Sequence, residues 1–88
     1  MKFYIVDEPY FALIKAVNKV EVVELYEKYV ADDDGSLAVN IEEISRDKAL
    51  VLLSRSQDED GELMNIEDVI YAINESKSSV ILIDGLLV

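Results

Sequence analysis

A small α+β domain is what this sequence predicts, and three observations carry the expectation. Runs rich in β-branched and aromatic residues stand at either end of the chain, helix-start signals lie between them, and half of the residues are apolar (51%) in a chain of only 88. That length allows one core and one domain, residues 1–88. The expected architecture is a small mixed β-sheet with helices packed mainly on one face, in the order β-β-α-β-α-α-β.

Phe3, Tyr4, Ile5 and Val6 read as the first strand, which Asp7, Glu8 and Pro9 end in a turn. Residues 10–17 read either as a second strand antiparallel to it or as an early helix opened by Pro9, and the strand is favoured because Asn18 then opens the next element. Asn18 and Glu21 match a capping box, and the helix it starts runs over about 19–30 with Val20, Val23, Tyr26 and Val30 at helical spacing and Glu24 and Lys28 as an i,i+4 pair. Asp32, Asp33, Asp34, Gly35 and Ser36 form an exposed loop. Residues 37–44 alternate at Leu37, Val39 and Ile41 and read as a strand. Ser45 is the N-cap of a short helix through Leu53, with Asp47 in its first turn, where the helix dipole favours an acid. Asn65 starts a third helix over about 66–75 whose apolar face is Ile66, Val69, Ile70 and Ile73. Residues 79–83 are apolar without alternation, as suits a central strand, and Asp84 and Gly85 signal a tight turn.

Charge is the most informative feature for function. Nineteen Asp and Glu against eight Lys and Arg give a net charge of -11. Phosphate backbones are repelled and basic protein surfaces attracted, so direct nucleic-acid binding is not expected and a basic partner is. With no Cys and no His, disulfides, thiolate metal sites and imidazole catalysis are closed. Acids follow the first apolar run too early for a signal peptide, and no apolar run approaches the roughly 20 residues that cross a bilayer. The chain is therefore expected in the cytoplasm and away from membranes.

The sharpest local pattern is Ser56, Asp58, Asp60, Gly61, Glu62 and Glu67, which resembles an EF-hand calcium loop. In that family alternating oxygen ligands precede a turn glycine and an acid closes the loop six residues later. The resemblance covers residues 56–67 and implies a calcium site at Ser56, Asp58, Asp60, Glu62 and Glu67, although Ser56 stands where the family has its first Asp. The plainer account is an acidic helix-helix connection reversed by Gly61, with Asn65 explaining the following helix start without an ion. The serines lack a histidine base and the three glycines are isolated, so no enzyme activity and no cofactor are expected.

The leading expectation is a non-enzymatic acidic protein-interaction module, an inhibitor or adaptor of nucleic-acid-mimic type. Its candidate contact residues are Asp32, Asp33, Asp34, Glu42, Glu43, Asp58, Glu59, Asp60 and Glu62, with Leu86, Leu87 and Val88 as an apolar end that either completes the sheet or pairs with a second copy in a homodimer. The alternatives are a calcium-responsive protein and a small soluble structural or oligomerisation domain. In compactness and charge the chain resembles small accessory proteins of phages and mobile elements.

Overall fold

The computed structural model describes residues 1–32, 35, 37–58, 60–84 and 86–87. The strands are β1 (Lys2–Val6), β2 (Ala12–Ala16), β3 (Ile41–Ile44), β4 (Ser79–Ile83) and β5 (Leu86–Leu87), and the helices are α1 (Lys19–Tyr29), α2 (Arg46–Ser54) and α3 (Ile66–Asn74). The α+β class and the expected element order hold, with β5 added at the end. The sheet order is β3-β1-β2-β4-β5.

Each ladder is antiparallel, which corrects the expected mixed pairing. Helix α1 returns the chain so that β3 runs in the same direction as β2, but β1 lies between them, so the two never meet as parallel neighbours. Two of the three helices, α2 and α3, share one face, where Ala49, Leu53, Val69 and Ile73 pack on Phe3, Ile5, Leu13, Ile44, Ile81 and Leu82. On the other face Val22 and Tyr26 of α1, with Leu37, pack on Tyr4, Val6, Ala12, Ile14, Ala16 and Val80. Coverage on both sides explains why β2 is buried at every position and why it lacks polar alternation.

Strand β4 is interior, between β2 and β5. Its register against β2 shifts between Leu13 and Ile14: Ile14 faces Val80 while Leu13 faces Leu82, leaving Ile81 as the extra residue. This bulge puts both Ile81 and Leu82 into the α2–α3 side of the core.

The helices start where their cap residues stand. Asn18 Oδ1 accepts from the Glu21 amide at 3.0 Å, Ser45 Oγ from the Lys48 amide at 3.1 Å, and Asn65 Oδ1 from the Glu67 amide at 2.8 Å. The capping box is modified: Glu21 Oε1 accepts from the amide of Val17, not of Asn18, at 2.9 Å, and the Ser78 hydroxyl donates to the same oxygen. The Ser78 hydroxyl first and the Val17 amide second hold the Glu21 carboxyl below its ordinary value. A depressed carboxylate stabilises the fold above its unfolded pKa and loses that effect as pH falls through the folded one. Glu21→Gln should therefore lower the melting temperature at neutral pH, and the gap to wild type should close in acid, as read by circular dichroism melts across pH.

Three expectations shift. The covered face of α1 is Val22 and Tyr26, whereas Val20 is exposed and Val23 and Val30 are half-buried, because docking on the sheet selects among closely spaced valines. Lys28 lies over the Tyr29 ring, 5.2 Å from its centre, and makes no ion pair with Glu24. The strand expected over 37–44 is a 3-10 turn, Leu37–Asn40, followed by β3, since Leu37 enters the core while Val39 points to solvent.

Candidate functional site

The chain's acids are spread over separate elements. Glu42 and Glu43 are exposed on β3, an edge strand, where charge blocks edge-to-edge pairing with other chains. Lys2 lies 3.7 Å from Glu43, the one ion pair among the described residues. Leu86 and Leu87 form β5 at the opposite edge, four strand spacings or about 19 Å away. The expected contact residues therefore make more than one surface. Asp32 is exposed, whereas Asp33, Asp34, Ser36, Glu59, Gly85 and Val88 lie outside the described residues.

β5 pairs with β4 through Leu87 with Leu82 and Leu86 with Ile83, so the end of the chain extends the sheet. Truncation after Asp84 is expected to lower the urea midpoint of unfolding by uncovering the β4 edge, with no change of molar mass in light scattering.

The 56–67 segment closes on itself. Asp58 Oδ1 accepts from the amides of Asp60 and Glu62, each at 2.9 Å, the Asp58 amide donates to the Glu62 carbonyl, and Gln57 bridges to Leu63. Gly61 takes φ +79°, a conformation that only glycine adopts without strain, and Ser56 Oγ donates to the Leu52 carbonyl at the end of α2. Asp58 is thus the cap of a tight turn, and Glu67 stands in the first turn of α3. Among the described residues no group of three acids is placed to hold a metal ion, so the local pattern of a calcium loop is present without its ligand geometry. Asp58→Asn, which keeps the accepting oxygen, should leave stability near wild type, while Asp58→Ala should cost about 1 kcal/mol, both independently of added calcium in urea titrations.

Two interior polar contacts escape a reading by composition. Lys15, from the middle of β2, is fully buried (0% exposed), and its Nζ donates to the carbonyls of Ala72 and Glu75 at 2.7 Å each. It caps the C-terminal end of α3, where unpaired carbonyls and the helix dipole favour a cation. Burial pushes the Lys15 amine below its ordinary value, and the Glu75 carboxylate opposes that shift. The sequence signal is a lone charge inside the apolar run of residues 10–17. Tyr26, fully buried in α1, donates through its hydroxyl to the Tyr10 carbonyl and accepts from the Tyr10 amide, both at 2.8 Å, which locks the β1–β2 connection onto α1. Among the described residues no buried side-chain polar atom lacks a partner.

A groove of about 220 Å³ runs between α1 and the start of β4, lined by Leu25, Tyr29, Lys77, Ser78, Ser79 and Val80. Within this lining the Ser78 hydroxyl is committed to Glu21 and not to Lys77.

Exposed apolar side chains occur on several elements: Val17, Val20, Tyr29 and Val39 in one part of the chain, and Val51 on α2, Leu63 before α3 and Ile66, Ile70 and Tyr71 on α3 in another, although Ile66 and Ile70 belong to the apolar face expected of that helix. On α3 the apolar residues span a wider arc than the sheet covers: Val69 and Ile73 turn inward, and Ile66 and Ile70 flank them uncovered. No helix of the described residues is long and apolar enough to cross a membrane.

The model of the YosH C-terminal domain family matches residues 1–82. Over 88 residues the chain is 41% identical to the SPbeta prophage-derived uncharacterized protein YosH of Bacillus subtilis (strain 168), a match that covers 99% of this chain and 56% of that protein. The chain thus spans about half the length of this curated relative. No solved structure matches it. With a fold continuous from β1 to β4 across the matched residues, the chain belongs to the YosH C-terminal domain family.

Proposed function

We infer that this domain is a non-enzymatic contact module of a phage or mobile-element accessory protein, working in the cytoplasm by binding another protein. The observation that carries the reading is the uncovered apolar side chains of the α2–α3 layer on a domain whose core is otherwise complete. Exposed apolar side chains also stand elsewhere, at Val17, Val20, Tyr29 and Val39, but α3 alone carries three within six residues, Ile66, Ile70 and Tyr71, and neighbouring exposed apolar side chains favour a macromolecular partner over a small ligand. Kinship with a prophage-derived protein supports the phage-type setting.

The acidic surface adds selectivity. A charge of -11, with a single ion pair among the described residues, leaves many carboxylates free to meet a partner's Lys and Arg, which favours a basic protein surface over nucleic acid or anionic lipid. Affinity capture with the domain as bait, from the cells in which it is naturally made, tests this reading. A discrete partner should be retained at about 50 mM salt and released at about 500 mM, where screening shortens the reach of exposed charges. A partner whose retention is the same at both concentrations would remove the electrostatic part of the reading. A mass of twice 9.9 kDa for the purified domain in light scattering would favour the oligomerisation alternative.

A further inference from the structure

Helices α2 and α3 lie side by side on the sheet with a seam between them. Arg46, the first residue of α2, hydrogen-bonds Asn74, the last of α3, so the two helices run antiparallel. Ile66, Ile70 and Asn74 follow one another at four-residue intervals and form one stripe of α3. Because Asn74 is tied to α2, that stripe borders the seam. It is nonetheless uncovered: Ile66 is 61% exposed and Ile70 46%, and Leu63, a turn before the helix, is 61% exposed. Met64 beneath is half-buried against the core.

Acids adjoin this stripe along the chain: Glu62 precedes Leu63 and Glu67 follows Ile66, within residues 58–68 that hold no Lys or Arg, and neither makes an ion pair among the described residues, whereas Asp68 falls on the opposite side of α3. A second copy of the chain is a poor occupant, since a two-fold contact would set identical acidic rims against each other. Apolar side chains at four-residue spacing, bordered by a seam between antiparallel helices, match the apolar face of another helix.

We propose that the seam face formed by Leu63, Ile66 and Ile70 is the docking site for an amphipathic helix of a partner protein, with an apolar face seated on the stripe and Lys or Arg flanking it toward Glu62 and Glu67. This rests on the reading of the domain as an acidic contact module and names the surface and partner class. The docked helix becomes the third helix of the α2–α3 layer. Its apolar face supplies the residence time, and its basic flank supplies the encounter rate and the salt dependence.

The probe is a synthetic peptide of about 18 residues, or five helical turns, with leucines on one face and lysines on the other; the control has the same composition with its leucines dispersed around the helix. NMR titration of the isotope-labelled domain should shift the amides of residues 63–71 with the amphipathic peptide and far less with the control. Ile66→Ser with Ile70→Ser, both at exposed positions and so compatible with folding, should weaken binding about tenfold or more while leaving its salt dependence in place. Glu62→Gln with Glu67→Gln should instead flatten the salt dependence. Shifts centred on Glu42 and Glu43 or on the groove beside Tyr29, or equal binding of the two peptides, would overturn the docking site while leaving the acidic contact reading intact. Binding of neither peptide at low salt would overturn both.

Discussion

Lys15→Glu is expected to leave the domain unfolded at neutral pH and ambient temperature. A domain of this size is stable by about 4–13 kcal/mol, and an unpaired buried carboxylate costs several kcal/mol before its surroundings are considered. Those surroundings make it worse: the new acid would face the carbonyls of Ala72 and Glu75, at the negative end of the α3 dipole and beside the Glu75 carboxylate. Lys15→Met separates packing from charge. It preserves an unbranched apolar stem but leaves both carbonyls without their donor, for an expected loss of about 2 kcal/mol, since each unsatisfied acceptor costs about 1–3 kcal/mol and relief of the buried charge offsets part of that.

The same site has a pH signature. Burial holds the Lys15 amine below its ordinary value, so the unfolded chain binds this proton more tightly than the folded one. Stability contributed by the group then rises with pH, beginning at the lowered folded pKa and levelling off once the ordinary value is passed. The difference in urea midpoint between wild type and Lys15→Met should widen in favour of wild type as pH is raised above neutral through that window. A gap that narrows instead would show that the charged amine is favoured by the fold.

Tyr26→Phe should cost about 2 kcal/mol, although it removes one oxygen atom. The hydroxyl serves both backbone groups of Tyr10, one as acceptor and one as donor, at 2.8 Å each in a half-buried setting. Phenylalanine would keep the packing against β2 and the 3-10 turn but leave that amide and carbonyl unpaired. Urea unfolding should show a lower midpoint with an unchanged slope, the mark of lost stability without a changed unfolded state. Tyr71→Phe is the control: at an exposed position of α3 the same change should stay within about 0.5 kcal/mol.

Some of this molecule was legible because its causes are local. Asn18, Ser45 and Asn65 each cap a helix through an amide two or three residues on, and a contact of that range is readable from spacing alone. The apolar runs of β1 and β4 mark buried strands for a similar reason. The candidate contact surface was not legible in the same way. Ile66, Val69, Ile70 and Ile73 are equivalent by helical periodicity, and only the docking of α3 on the sheet makes Val69 and Ile73 core and leaves Ile66 and Ile70 outside. Asp58, Asp60, Gly61 and Glu67 have a calcium loop's spacing, but the backbone turns so tightly that Asp58 spends its oxygen on two amides.

By itself the sequence determined the three helices and the strands β1, β2 and β4, that one small core forms, and that the chain carries a strong negative charge, but not the 3-10 turn at Leu37–Asn40. Tertiary structure alone decided the antiparallel order β3-β1-β2-β4-β5, the use of both sheet faces, and the place of Lys15 as the buried cap of α3. The physical reason is the range of the interactions. Capping and side-chain alternation act over two to four residues, whereas Lys15 meets its carbonyls across 57 and 60 residues of chain, a contact that exists only after the strands have paired and the helix has docked.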